Sequence, residues 1–373
     1  METIIGKFST ARVFSETAEQ YALAQVKAIC DNKVSEDSSI CVMSDVHPGK
    51  VAPIGLTMTI GNRILPYLVG IDIGCGMTMA RISKHRGMEF KKLDTVIRER
   101  VPSGFEVQKS PHRFISNFDF SKLECAAHVY KEKTALSLGT LGGGNHFIEI
   151  DVDDSGEYYI TVHSGSRHLG KEVAEFYLNE GRKFLRSQGA DIPYELTFLE
   201  KNLMALYLCD VAVVQDFAAL NRLAIIDEIA KGMKWKLEEP ISCIHNYVDF
   251  RTEKPILRKG AVSAQKDENV IIPINMRDGI ILAKGKGNAD WNYSAPHGAG
   301  RILKRGDVKE RFTVSAFKSA MKGIYSSCIS KGTLDEAPFA YRGIDEIVNA
   351  IEPTVSVTRI LKPVYNFKAE AEL

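Results

Sequence analysis

The stretch from Ile64 to Met77 constrains the fold more than any other in this chain. Its apolar part, Ile64 to Ile73, predicts a buried strand, and Gly70, Gly74 and Gly76 then predict a turn. Glycine accepts backbone angles that other residues resist, and it lets a second group come close. Asp72 and Cys75 fall at that turn, three residues apart. A carboxylate and a thiol offered together make half of a metal site. An Asp capping a turn beside a small core cysteine accounts for the same residues, so the decision rests on what the remainder of the chain supplies.

Taken in order, Thr17-Ala18-Glu19-Gln20 predicts a capping box opening a helix to about Cys30. A strand from Ser39 to Met43 delivers Asp45-Val46-His47-Pro48-Gly49-Lys50 onto a loop, a dense polar cluster or an ordinary Asp-started turn. Val51 to Ala80 is apolar and strand-like, and charged helices follow over Glu89 to Val101 and Ser121 to Ala135. The run Gly139-Thr140-Leu141-Gly142-Gly143-Gly144-Asn145-His146 could wrap backbone N–H groups around an anion. It lacks the GK[ST] ending of a P-loop and precedes a strand, so neither the P-loop nor the dinucleotide fingerprint applies. His146 begins a predicted strand carrying Glu149, and His163 ends the next one, leading into Ser164-Gly165-Ser166-Arg167. Gly170 to Gln188 and Leu203 to Lys234 carry apolar residues at helical spacing. A strand from Ile241 ends in His245, a position that more often holds a satisfied core histidine than a ligand. Short strands over Pro255 to Leu282 precede His297-Gly298-Ala299-Gly300-Arg301, where glycines leave the histidine open to a ligand. A helix over Ile344 to Ile351 and a strand over Val355 to Pro363 lead to the closing Asn366-Phe367-Lys368.

No repeat, low-complexity tract or Pro/Ser-rich linker divides the chain, so one domain over 1–373 is expected. A formal net charge of +1 excludes bulk attraction to polyanions; nucleic acid would need a local basic groove. Seven cysteines without a CxxC pair favour a reducing compartment. The N-terminus lacks the apolar core of a signal peptide, and no apolar run approaches a membrane span, so a cytoplasmic protein with no membrane partner is expected. Asp72, Cys75, His146, His163 and His245 form an imidazole-rich set suited to Mn, Fe, Co or Zn. Their spread along the chain is unlike a zinc finger, and the residues alone point to a metal-dependent hydrolase or transferase.

Over nearly its whole length the chain resembles the RtcB family of RNA ligases. The motifs carrying the resemblance, in order, are Asp45-Val46-His47-Pro48-Gly49-Lys50, Gly70-Ile71-Asp72-Ile73-Gly74-Cys75-Gly76-Met77, Gly143-Gly144-Asn145-His146-Phe147, His163-Ser164-Gly165-Ser166-Arg167, His245-Asn246 and His297-Gly298-Ala299-Gly300-Arg301. The resemblance implies an α+β fold, a single domain of packed mixed β-sheets with surrounding helices and the site in a cleft between sheet ends. It also implies a GTP- and Mn-dependent ligase joining a 3′-phosphate or 2′,3′-cyclic phosphate RNA end to a 5′-hydroxyl end. Asp72, Cys75, His146, His163 and His245 would then hold two manganese ions, with Cys75 bridging. His297 would take GMP from GTP. Asn145, Glu149, Ala299, Gly300, Arg301 and Lys368 would hold the guanine nucleotide, and Asp45 and Arg167 would serve the RNA steps, Asp45 near the attacking 5′-hydroxyl. Other readings are a metal-dependent cyclic phosphodiesterase or phosphatase acting on RNA ends without GTP, and an inactive RNA-end binder.

The chain departs from the family pattern at Ser44 and Val51, which stand where Pro and Gly are usual, and at Arg342-Gly343, where Lys-Asp is common. With the short length, these features resemble the bacterial branch that accompanies a release-factor-H-like protein, which implies RNA repair more than tRNA splicing. An archease-like activator or a release-factor-H-like protein is the functional partner that the resemblance suggests.

Overall fold

The structure is a computed structural model that describes residues 2–85, 87–190 and 192–369. Two large sheets carry it. The first has six strands in the order Glu2–Ile5, Thr10–Val13, Ile40–His47, Ile54–Thr59, Ile256–Lys259, Asn246–Asp249. It is mixed, because Thr10–Val13 and Ile40–His47 run parallel while the other neighbours are antiparallel. Ile40–His47 is buried from Ile40 to Val46, as expected of a strand covered on both faces. The second sheet is antiparallel and eight-stranded. Its path runs Lys236–Leu237, Gly76–Lys84, Tyr158–Ser164, Phe147–Val152, Val355–Lys368, Gly279–Gly285, Asn269–Asn275, and Ile241–Ile244 pairs with Gly76–Lys84 off that path. Helices and sheets together make the α+β architecture that the resemblance implies.

The helix Lys201–Met233 packs against the helices Phe90–Arg100 and Arg167–Ser187 and against the strand Tyr158–Ser164. It buries Tyr207, Val211, Val214, Phe217, Ala224, Ile225 and Ile229. Its buried polar residues tie down the loops that carry the site. Asn221 Oδ1 accepts from Gly139 N at 2.8 Å and Thr140 N at 3.2 Å, holding the glycine run. Arg222 Nη1 donates to Gly74 O at 2.8 Å and Ser164 O at 3.0 Å, joining the Asp72 turn to the end of the His163 strand. Asp210 accepts from Glu124 N, Cys125 N and the Tyr177 hydroxyl at 2.6, 3.1 and 2.7 Å. An 18-residue window of this helix reaches a mean hydropathy of 1.7, so one apolar run does meet the length and composition of a membrane span. In this fold its Asp210, Asn221 and Arg222 are fully buried in these contacts.

Three expectations are corrected. Ile64 to Ile73 is not a strand: Arg63–Ile64 pairs briefly, and Pro66–Val69 then forms a helical turn ending at Gly70 (φ +91°). Pro66 decides this, since its fixed φ suits the first turn of a helix and its missing N–H costs nothing there. Residues 121–135 are not one helix but the 3₁₀ turns Phe120–Lys122 and Ala126–His128, followed by the helix Lys131–Ser137. The first helix, Gln20–Cys30, starts without a side-chain cap; Thr17 Oγ1 instead accepts from Arg342 Nη2 at 2.7 Å.

Candidate functional site

Antiparallel pairing of Phe147–Val152 with Tyr158–Ser164 sets Phe147 opposite His163, which brings His146 and His163 to the same end of the pair. Gly76–Lys84 pairs on the far side of Tyr158–Ser164 and places Met77 opposite His163, so Cys75 arrives beside both histidines. Cys75 Sγ lies 3.5 Å from His146 Nε2 and 3.3 Å from His163 Nε2. His163 Nε2 is 3.2 Å from His245 Nε2, and His146 Nε2 is 3.0 Å from Asp72 Oδ2. The five predicted ligands therefore converge. Gly165 makes room for Asp72, because a Cβ there would stand 2.0 Å from Oδ1.

The donor set fits a cation. His146 Nδ1–H donates to Leu141 O at 2.9 Å and His163 Nδ1–H to Asn145 O at 3.0 Å, so both Nε2 atoms point inward with bare lone pairs. His146 Nε2 faces a carboxylate oxygen, and two acceptors at that distance need a positive charge between them. Burial pushes His163 and His245 well below the usual histidine range, keeping the imidazoles neutral as ligation requires. Burial alone would raise the Asp72 carboxyl, but positive charge around it, Arg167 included, holds it well below the carboxylate range. Burial and the neighbouring Asp72 push the Cys75 thiol up, a preference that a coordinated dication reverses. A second cluster, His112, Asp227 and Glu228, is already neutralised by Arg113, Lys231 and Arg100.

His297 lies next to this cluster, its ring centroid 5.0 Å from that of His245. Asp45 Oδ2 accepts from both His297 Nδ1 at 2.8 Å and His297 N at 3.1 Å. That bond keeps the proton on Nδ1 and leaves Nε2 with a free lone pair. Gly300, at φ +72°, lets the loop cross over Asp45, where a Cβ would stand 3.2 Å from Asp45 Cα. Asp45 is thus committed to orienting the His297 imidazole. Arg167, at φ +54° on the first residue of its helix, lays Nη1 3.4 Å from His146 Nδ1. Gly142 permits this, since a Cβ there would meet Nη1 at 1.8 Å.

His163, His245 and His297 open into a cleft whose walls also hold Asn145, Glu149, Ala299, Gly300, Arg301 and Lys368. All the predicted nucleotide residues therefore share one cavity. Arg301 donates to Asp335 O at 2.6 Å and to the Tyr341 hydroxyl at 3.0 Å, so protein groups already hold its guanidinium. Lys368 Nζ pairs with buried Glu336, and Asn366 Nδ2 donates to Glu149. Burial pushes the Glu149 carboxyl up, and Asp151 beside it well above its usual range.

The structure adds residues that the sequence reading missed. Arg305, Glu336 and Tyr341 join the cleft wall. The side chain of half-buried Lys259 has no hydrogen-bond or ion-pair partner among the described residues. Its Nζ lies where a Cβ on Gly70 would stand at 2.3 Å, and burial lowers its ammonium to about 8 despite the pull of Asp72 and Cys75. Its only sequence cue is a glycine, Gly260, next in the chain.

A family model described as tRNA-splicing ligase RtcB matches residues 25–369. The RNA-splicing ligase RtcB of Escherichia coli K12 is 31% identical, covering 87% of this chain and 88% of that protein. The tRNA-splicing ligase RtcB of Nanoarchaeum equitans is 28% identical, covering 82% and 83%. Family match, length coverage and the converging motif residues agree, and the chain belongs to the RtcB family of RNA ligases.

Proposed function

We propose that this protein joins RNA ends by way of a guanylylated histidine, using GTP and manganese. The observation that carries the reading is His297, held through Nδ1 by Asp45 beside the Cys75–His146–His163–His245 cluster and in the same cleft as Glu149 and Lys368. A neutral imidazole with a free lone pair is a competent nucleophile toward phosphorus. Asp72, Cys75, His146, His163 and His245 would hold manganese, which when bound supplies charge neutralisation for phosphate oxygens.

A 2′,3′-cyclic phosphate end is first opened by water to a 3′-phosphate. His297 Nε2 attacks the α-phosphorus of GTP; the N–P bond forms as the bond to the β-phosphate oxygen breaks, and pyrophosphate leaves. Asp45 stabilises the positive charge that grows on the ring. A 3′-phosphate oxygen of RNA then attacks the same phosphorus and frees His297, giving RNA-3′-pp-5′-G. Attack of the 5′-hydroxyl on the RNA phosphorus forms the phosphodiester and expels GMP. Lys368, Arg301 and Arg305 line the cleft and would meet the nucleotide phosphates, and Arg167, beside His146, would meet the RNA phosphate.

The test is incubation with GTP radiolabelled in its α-phosphate and Mn²⁺, followed by a denaturing gel. We expect an acid-labile, alkali-stable label on the wild-type chain and none on His297→Ala. Equal labelling of both proteins would refute the assignment. Opening of the cyclic phosphate without any label would favour the phosphodiesterase reading.

A further inference from the structure

Phe105 is 86% exposed, the most exposed of the large apolar side chains among the described residues. Single exposed apolar side chains are ordinary on protein surfaces, so exposure alone carries no argument. Position does. Phe105 sits on a pinned turn: Gly104 N donates to Gly142 O at 3.1 Å, Glu106 N donates to Ser103 O at 3.2 Å, and Ser103 bridges Gly142. Gly104 takes φ +64°, a conformation that favours glycine and fixes the turn. Its carbonyl accepts from Arg167 Nη2 at 3.3 Å, and Nη1 of the same guanidinium lies 3.4 Å from His146 Nδ1. One residue therefore separates Phe105 from the cation that borders the ligand cluster. On the other flank of that helix start, Ile71 is 48% exposed, with its carbonyl 2.9 Å from where a Cβ on Gly170 would stand. No aromatic ring or cation of the described chain covers the Phe105 ring.

A charged centre bordered by an uncovered aromatic on a hydrogen-bonded turn suits single-stranded RNA, whose phosphates pair with Arg while unstacked bases lie on aromatic faces. With a net charge of only +1, the chain has little bulk attraction for RNA, which leaves a larger share of affinity to such contacts. We propose that Phe105 is a stacking platform for a nucleobase within the last two nucleotides of the RNA strand that ends in the 3′-phosphate. This rests on the reading above that RNA ends react at the cluster beside Arg167.

The experiment compares wild type, Phe105→Ala and Phe105→Trp on an RNA with a 3′-phosphate end, and on versions of it lacking the last or the penultimate base. Phe105→Ala should raise KM for the intact RNA on the order of tenfold, with kcat little changed, and Phe105→Trp should restore it. On one of the abasic RNAs the penalty should vanish. The Trp variant also reports without turnover: Trp235 and Trp291 are buried, so RNA should quench the added exposed indole. An unchanged KM in Phe105→Ala, or a penalty that persists on both abasic RNAs, overturns the proposal. Quenching by RNA in a chain that fails to join ends supports the platform and refutes the ligation reading separately.

Discussion

Replacing Asp45 by Asn tests the proposal that Asp45 prepares His297 as the nucleophile. In the wild type a single carboxylate oxygen, Oδ2, accepts from both the ring Nδ1 and the backbone N of His297, while Oδ1 is buried without a hydrogen-bond partner. An amide in its place can put only its oxygen where Oδ2 stood, because an NH₂ there would face two N–H groups. The backbone N–H of His297 therefore selects the orientation that preserves the ring tautomer. What is lost is charge. A hydrogen bond to a charged group contributes about 1.5–3 kcal/mol against about 0.5–1.5 for a neutral one, so the loss is about 1–2 kcal/mol. That corresponds to a drop of roughly 5- to 30-fold in the rate of nucleotide transfer to the protein. Asp45→Ala removes both bonds and frees the ring, and should cost more than about 100-fold. The assay is the time course of label transfer from α-labelled GTP at saturating nucleotide and Mn²⁺. If the Asn variant instead falls by about 10⁴, the range seen when an imidazole takes the wrong tautomer, the bifurcated geometry does not operate and the reasoning fails.

Gly165→Ala should leave the fold intact, because Gly165 does not adopt a left-handed backbone, yet its new Cβ would stand 2.0 Å from Asp72 Oδ1. Manganese affinity, followed by electron paramagnetic resonance, should weaken by about tenfold or more, and wild-type affinity would contradict the placement of Asp72. Asp249 and Arg258 form a buried pair at 2.7 Å, so Asp249→Asn should lower unfolding stability in urea by about 3 kcal/mol. The pH dependence of that gap is also set. Burial would raise the Asp249 carboxyl, but the hydrogen bond from Arg251 and the charge of Arg258 bring it from 3.8 down to about 2. A lowered pKa stabilises the fold above the unfolded value, so the difference between the two proteins should be full above about pH 4 and shrink as pH falls toward 2.

The candidate ligands were legible because each sits beside glycines or at the end of an apolar strand, where a polar side chain stands out locally. Their convergence was not. That depends on Tyr158–Ser164 pairing with Phe147–Val152 on one side and Gly76–Lys84 on the other, a register set by contacts distant in sequence. Ile64 to Ile73 misled because apolar runs mark strands and buried turns alike, and Pro66 outweighed the run. Thr17 looked like a cap by spacing, while a residue more than three hundred positions away, Arg342, uses its hydroxyl. Arg342 Nη1 also donates to Ser44 O at 2.8 Å, so two departures from the family pattern touch each other next to Asp45. Lys259, Arg305 and Glu336 are charged residues in ordinary surroundings, and nothing local distinguishes them from solvated ones.

The strand Val355–Lys368 lies inside the eight-stranded sheet, between Phe147–Val152 and Gly279–Gly285, and it brings Asn366 and Lys368 to the cleft. During synthesis both neighbours are made first and must wait with unpaired edges, since nothing else in the sheet joins them. Such exposed edges invite wrong partners, and pairing at long sequence separation is slow. The same arrangement gives a safeguard. A chain broken off before residue 355 lacks both the strand that unites the sheet and the Lys368 side chain of the cleft, so an incomplete protein presents no finished cleft while it awaits removal.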